Sequence, residues 1–277
     1  MTIQETLNKG KNILTKKNID EASLISKMLL SHILKCKKEE LLIKQDEEIQ
    51  DEQEKEFLEG IVKISQGLPI QYITNSKEFM GMDFYVDENV LVPRSDTEVL
   101  VEEVIKLANE NNKKDILELC TGSGCIAVSL VKYIEDANIT ATDISEGALQ
   151  VAKKNENRLI ENQNIVFIQS DMYEKINKKY DIIVSNPPYI KTDVIKEYTL
   201  KYEPQIALDG GKDGLKFYRI IIQEGYKYLK DNGIIALEIG YDQKEEVMKI
   251  AEDTKKYKKI YCKKDLFGND RVVVMEV

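Results

Sequence analysis

Residues 116–127 read Ile-Leu-Glu-Leu-Cys-Thr-Gly-Ser-Gly-Cys-Ile-Ala. An apolar run of strand length, Ile116–Cys120, passes through a glycine turn into a segment of helical spacing. Gly122 and Gly124 let the backbone turn tightly and approach a ligand with no Cβ in the way, at the start of a helix whose unpaired N–H groups attract polar ligands. The turn alone is ambiguous. Gly122-x-Gly124-x-x-Ala127 also satisfies a relaxed dinucleotide fingerprint, so a nicotinamide oxidoreductase and a ligand-free strand-to-helix turn both stay open at this point.

Outward from this turn the alternation repeats. Strands are expected at Ile116–Cys120, Ile139–Asp143, Ile165–Ile168, Asp181–Ser185, Ile234–Ile239, near Lys259–Cys262 and at Arg271–Val277. Helices are expected between them, notably Ser145–Asn157, Asp213–Leu229 and Asp242–Glu252. Strand and helix in alternation predict an α/β fold with a doubly wound, mainly parallel, seven-stranded sheet. Such sheets bind ligands beyond the carboxyl ends of their strands.

Upstream the period changes. Residues 1–72 read as a small helical bundle: Asp20 is placed as N-cap before the stripe Ala22, Leu24, Ile25, Met28, Leu29 and Ile33. A second stripe, Phe57, Leu58, Ile61, Val62 and Ile64, stops at Gly67 and Pro69. Residues 73–94, with Phe79, Gly81, Phe84, Tyr85, Val86 and Val90–Pro93, read as a β-hairpin connector. The alternating domain then occupies 95–277.

Acids close successive strands. Asp143 can accept hydrogen bonds from both hydroxyls of a ribose, and Asp171 can accept the exocyclic amine of an adenine. With Glu118, they place three carboxylates at three neighbouring strand ends and point to an adenosine-containing ligand. The fourth strand then runs into Val184-Ser185-Asn186-Pro187-Pro188-Tyr189-Ile190. Two prolines fix φ and remove two backbone donors, which makes a stiff loop of acceptors. The Asn186 side-chain oxygen and the Pro187 carbonyl can hold a substrate NH2, with Pro188 stiffening the loop and Tyr189 offering a flat ring for stacking. An amide or exocyclic amine is a poor nucleophile because its lone pair is delocalised. Two fixed acceptors orient it toward an electrophilic methyl without a strong base.

Composition narrows the classes. The chain has 277 residues, a net charge of −9, four cysteines and a single histidine, His32. Those ligands are too few and too scattered for a zinc site, so no metal is expected. His32 falls inside a helical stripe. Net acidity disfavours nonspecific attraction to nucleic acid. The longest apolar runs, Ile234–Leu237 and Val272–Met275, are far below membrane-span length, and the amino terminus lacks a secretory pattern. A cytoplasmic monomer is expected.

The chain resembles the release-factor glutamine methyltransferases, the PrmC/HemK family, over nearly its whole length. Beyond the segments already quoted, the likeness rests on Gly67-Leu68-Pro69-Ile70-Gln71-Tyr72-Ile73, Phe79-Met80-Gly81, Val90–Glu98 with Pro93-Arg94-Ser95-Asp96-Thr97-Glu98, Glu203–Gly211 and Lys264–Arg271. Glu118 stands where the family usually has Asp, Ser95 where it has a second proline, and Met172 where it often has an aromatic residue. The resemblance implies a class I S-adenosylmethionine methyltransferase domain behind a helical domain that holds a peptide chain release factor. The implied reaction puts a methyl group on the glutamine amide of the factor's Gly-Gly-Gln loop. S-adenosyl-L-methionine binding is carried onto Glu118, Cys120, Thr121, Gly122, Ser123, Gly124, Asp143, Asp171, Met172 and Asn186. Catalysis is carried onto Asn186, Pro187 and Tyr189, and substrate binding onto Asn186–Tyr189; Arg94 and Glu203 are placed near the substrate entrance. The same loop geometry suits an N6-adenine methyltransferase acting on DNA or RNA, and a non-catalytic release-factor adaptor is a further alternative.

Overall fold

A computed structural model describes residues 1–161, 165–197 and 202–277. The chain forms two compact units: Met1–Ser76, and most of the chain from Lys77 to Val277.

Among its described residues the first unit consists of α1 (Ile3–Lys16), α2 (Ala22–Leu34), α3 (Glu40–Ile43), α4 (Asp51–Ser65) and α5 (Ile70–Thr74). A capping box starts α1: the Thr2 hydroxyl accepts from Glu5 N at 3.2 Å, and the Glu5 carboxylate accepts from Thr2 N at 2.9 Å. The apolar stripes meet in one core built on Leu14, Leu29, Leu30, Phe57 and Ile61. The boundary of α2 differs from expectation. Asn18 and Glu21 both adopt left-handed φ (54° each), so the chain reverses tightly after α1 and the cap falls on Glu21, with no side-chain cap bond, instead of on Asp20.

The second unit opens with a hairpin, β1 (Lys77–Phe79) and β2 (Met82–Phe84). Phe79 and Phe84 are fully buried in this unit's core, edge to face at 6.0 Å, so the hairpin is part of the sheet-bearing unit. Val90–Pro93 is not a strand; it follows an irregular path with Val90 and Val92 buried. Then come α6 (Glu98–Asn111), β3 (Asp115–Leu119), α7 (Cys125–Tyr133), β4 (Asn138–Asp143), α8 (Glu146–Leu159), β5 (Ile165–Gln169) and β6 (Tyr180–Ser185). They are followed by α9 (Thr192–Glu197), α10 (Lys216–Gly225), β7 (Leu229–Glu238), α11 (Lys244–Thr254), β8 (Lys259–Lys264) and β9 (Asp270–Glu276).

The seven strands β3–β9 form one sheet in the order β5-β4-β3-β6-β7-β9-β8. The first five in that order run parallel; β9 is antiparallel to β7, and β8 to β9. Side chains alternate strictly across the sheet. Ile182, Val184, Ile234 and Ala236 pack toward α6 and α7, while Ile183, Ile235, Leu237 and Val273 pack toward α10 and α11. Chain order reverses between β3 and β6. That switch point opens a crevice above their carboxyl ends, where both the glycine turn and the Asn-Pro-Pro-Tyr loop emerge.

Candidate active site

β3 ends in a strained corner: Cys120 has φ 61° and Gly122 φ 55°. A Cβ on Gly122 would meet no atom within 4 Å, so its open side faces the crevice; one on Gly124 would sit 2.9 Å from the Ala152 Cβ, so Gly124 is a packing glycine under α8. Met172, after β5, also adopts positive φ (44°). Left-handed non-glycine residues past the ends of β3 and β5, the strands on either side of β4, mark a backbone shaped for a ligand.

The crevice encloses about 230 Å³ and is lined by Cys120–Ser123, Asp143, Asp171, Met172, Asn186 and Pro188. Each Asp143 oxygen accepts a backbone N–H, from Gly122 to Oδ2 and from Ser145 to Oδ1, both at 2.9 Å. Burial pushes the Asp143 pKa up, against these amide bonds. A carboxylate has about four acceptor sites, so Asp143, which lines the crevice, retains acceptor capacity beyond these amides. Glu118 is not on the wall. It is fully buried beneath the turn, its Oε2 taking the Thr121 hydroxyl at 2.6 Å; burial raises its pKa to about 8, against hydrogen bonds from Thr121 and the Ala127 amide. It shapes the turn from below.

The chemical loop is held from three sides. Asn186 Nδ2 donates to the Thr97 hydroxyl at 3.2 Å, which leaves Oδ1 as acceptor. The Tyr189 carbonyl takes Gln243 Nε2 at 3.1 Å, and Ile190 exchanges backbone bonds with Leu208 and Gly210. Gly210 sits so close beneath that a Cβ would lie 2.7 Å from Tyr189 Cα and 2.9 Å from the Pro188 carbonyl. Asn186 and Pro188 line the crevice, and Pro187 between them is buried. Tyr189 is half-buried: it packs against the core beside α10 and α11, and its hydroxyl donates to Glu238 Oε1 at 3.4 Å, so the ring also braces the loop from behind.

The rest of the lining comes from two of the family-like segments, Val90–Glu98 and Glu203–Gly211, through Val90, Leu91, Pro93, Arg94, Thr97, Pro204, Ile206 and Ala207, and from Asn89, Lys216 and Phe217, which no motif marks. Of the expected entrance pair, Arg94 lines the crevice and Glu203 lies behind it. They form an ion pair at 2.6 Å, and Glu203 also accepts from Val92 N at 3.1 Å. Glu238 is likewise absent from the motifs. Its only signal is an acid ending the apolar run Ile234–Leu237.

Residues 95–201 match the methyltransferase small domain, and residues 5–74 match the PrmC N-terminal domain. A release factor glutamine methyltransferase of Clostridium acetobutylicum is 40% identical over 280 residues, covering 99% of this chain and 98% of the relative. The chain belongs to the release factor glutamine methyltransferase family. Another member, from Streptococcus pneumoniae, is 42% identical over 83% of each chain. Among solved structures, a methyltransferase from Pyrococcus furiosus superposes with a TM-score of 0.51 at 20% identity, covering 72% of this chain and 91% of its own. The hMettl16 catalytic domain in complex with an RNA hairpin superposes with a TM-score of 0.58 at 14% identity, covering 74% and 79%. These likenesses concern the fold alone.

As a family member with this sheet, the chain is an S-adenosyl-L-methionine-dependent methyltransferase, and the crevice fits that cofactor. Gly122 leaves open the space a Cβ would fill, Asp143 presents two partly satisfied carboxylate oxygens for ribose hydroxyls, and Asp171 and Met172 flank the far side.

Proposed function

We propose that this protein methylates the side-chain amide nitrogen of the glutamine in the Gly-Gly-Gln motif of peptide chain release factors. The observation that carries this reading is the orientation of Asn186. With Nδ2 engaged by Thr97, Oδ1 is the free end of an amide that lines the same crevice as the glycine turn. When bound, S-adenosyl-L-methionine supplies an electrophilic methyl group. Asn186 Oδ1 and the Pro187 carbonyl accept the two N–H bonds of the glutamine amide and hold its lone pair toward that methyl group. The buried prolines and the Gly210 contact keep these acceptors from relaxing away, so orientation is prepaid before reaction. Cys120, Thr121, Gly122 and Ser123 hold the cofactor's amino-acid end, Asp143 its ribose and Asp171 its adenine, with Gly124 and Glu118 shaping the turn.

The helical unit, residues 1–72, grips the factor; the hairpin of 73–94 leads into the catalytic domain of 95–277. The protein acts as a cytoplasmic monomer with no direct nucleic-acid contact. A net charge of −9 supports the last point, and no helix among the described residues is long and apolar enough to cross a membrane. The test is labelled-methyl transfer with purified release factor, DNA and RNA offered separately. Label in the factor alone is expected; label in nucleic acid and none in the factor would replace this reading with the adenine one.

A further inference from the structure

β6 and β7 pair in parallel with Ser185 opposite Leu237, so Asn186, the first residue past β6, and Glu238, the last of β7 and paired with Val272 on its other side, lie at the same level of neighbouring strands. Glu238 is about 1% exposed. One hydroxyl donates to its carboxylate, Tyr189 at 3.4 Å from Oε1; Oε2 is buried without a hydrogen-bond partner, and the nearby Thr97 hydroxyl, which itself accepts from Asn186 Nδ2, favours the ionised form. A hydroxyl that accepts from an amide N–H keeps its own hydrogen free to donate, and an ionised carboxylate can only accept. The chain Asn186 Nδ2–H to Thr97 O–H to Glu238 therefore has a single direction.

We propose that Glu238 is a positioning residue for methyl transfer: through Thr97 it sets which end of the Asn186 amide faces the substrate, and through Tyr189 it fixes the loop behind. This inference rests on the function proposed above. Reversing the Thr97 hydroxyl would turn Asn186 over and present an NH2 to the substrate's NH2, donor against donor.

Other groups around Glu238 bear on its charge. Arg271, buried on β9 and bonded to Asp96 at 3.0 Å and Asp265 at 3.1 Å, favours the ionised form, while Asp96 opposes it. Tyr189, Tyr218 and Cys125 are the other titratable neighbours, and all three are pushed upward and stay neutral near pH 7. Burial outweighs Arg271, and the Glu238 pKa is raised to about 7. The ordering of Asn186 is therefore present above that pH and lost as pH falls through it.

The test uses the full chain, with Glu238→Gln, Thr97→Val and Thr97→Ser compared for kcat on release factor, cofactor affinity by calorimetry and the labelled side-chain amide resonance of Asn186, each from pH 6 to 8.5. Glu238→Gln removes the charge and replaces one acceptor oxygen with a donating NH2. Glu238→Gln and Thr97→Val should each lower kcat by about 10- to 100-fold, the scale expected for misoriented groups, with cofactor affinity within about twofold of the parent. Thr97→Ser should recover most of what Thr97→Val loses. Combining Glu238→Gln with Thr97→Val should cost no more than the worse single change, since both break one chain. The parent's kcat and its Asn186 resonance should titrate together near pH 7, and neither should titrate in Glu238→Gln. An Asn186 resonance that does not move with pH in the parent, or a Glu238→Gln variant with parental kcat and pH profile, overturns the proposal. Should the parent transfer no methyl to the factor, the function reading falls while the resonance still decides the Glu238 chain.

Discussion

Gly122 and Gly124 stand two positions apart in one motif and carry different burdens. Gly122 faces open space at positive φ, so a side chain there would project into the cofactor crevice; Gly124 is pressed on Ala152. Gly122→Ala should weaken cofactor binding about tenfold or more by calorimetry, with a stability cost near 1 kcal/mol from the left-handed backbone. Gly124→Ala should instead cost about 1–3 kcal/mol in thermal unfolding through overpacking. The opposite assignment would mean the turn holds its ligand elsewhere. At this scale the sequence is most legible where chemistry is written in adjacent residues, as in Asn186-Pro187-Pro188-Tyr189. It is least legible where strand register brings residues together. Nothing near Asn186 in sequence announces Thr97, 89 positions earlier, or Glu238 on the neighbouring strand. Glu118 stands out in the sequence, but not the direction it takes: it points into the packed interior, because a buried strand end has two sides and a motif does not say which one a side chain occupies.

Elements are legible wherever apolar period and burial agree. Each of the seven strands falls where the alternating runs place it, because residues such as Ile182–Val184 and Val272–Met275 are buried on both faces of the sheet. Boundaries move where local polar chemistry intervenes. The spacing starts α10 at Asp213, but Asp213 caps Leu215 N at 3.1 Å and pairs with Arg219, and Gly214 takes φ 76° against the Tyr189 carbonyl, so helical geometry starts only at Lys216. β7 begins at Leu229 rather than Ile234, carrying Lys-Asp-Asn-Gly through a register shift against β6, with Asn232 at φ 56°. At the other end of the chain, the Thr2–Glu5 box closes the first turn of α1, which packs on α2 and α4. Thr2→Ala should lower the stability of the helical unit by about 1 kcal/mol in urea unfolding, leaving cofactor affinity unchanged. An effect below a few tenths would show that solvent satisfies those amides equally well.

Two buried acids, Glu118 and Glu238, give the whole molecule a pH signature. Burial raises Glu118 to about 8 from an ordinary value of 4.5. A folded-state pKa above the unfolded one means that stability is full below about pH 4.5 and is lost as pH rises toward 8. Glu118→Gln should therefore match the parent near pH 5 and exceed it by a few kcal/mol near pH 8.5, because each pH unit between the unfolded and folded titration points is worth about 1.4 kcal/mol. Equal stabilities at both pH values would mean that the carboxylate is solvated in the native state.

Fragment mass spectrometry of release factor treated with enzyme and S-adenosyl-L-methionine shows which atom receives the methyl group. One methyl on the glutamine side-chain amide of Gly-Gly-Gln, absent with Asn186→Ala enzyme that still binds cofactor, is the predicted result. A methyl on another residue, or an undiminished methyl with the Asn186→Ala enzyme, would contradict it.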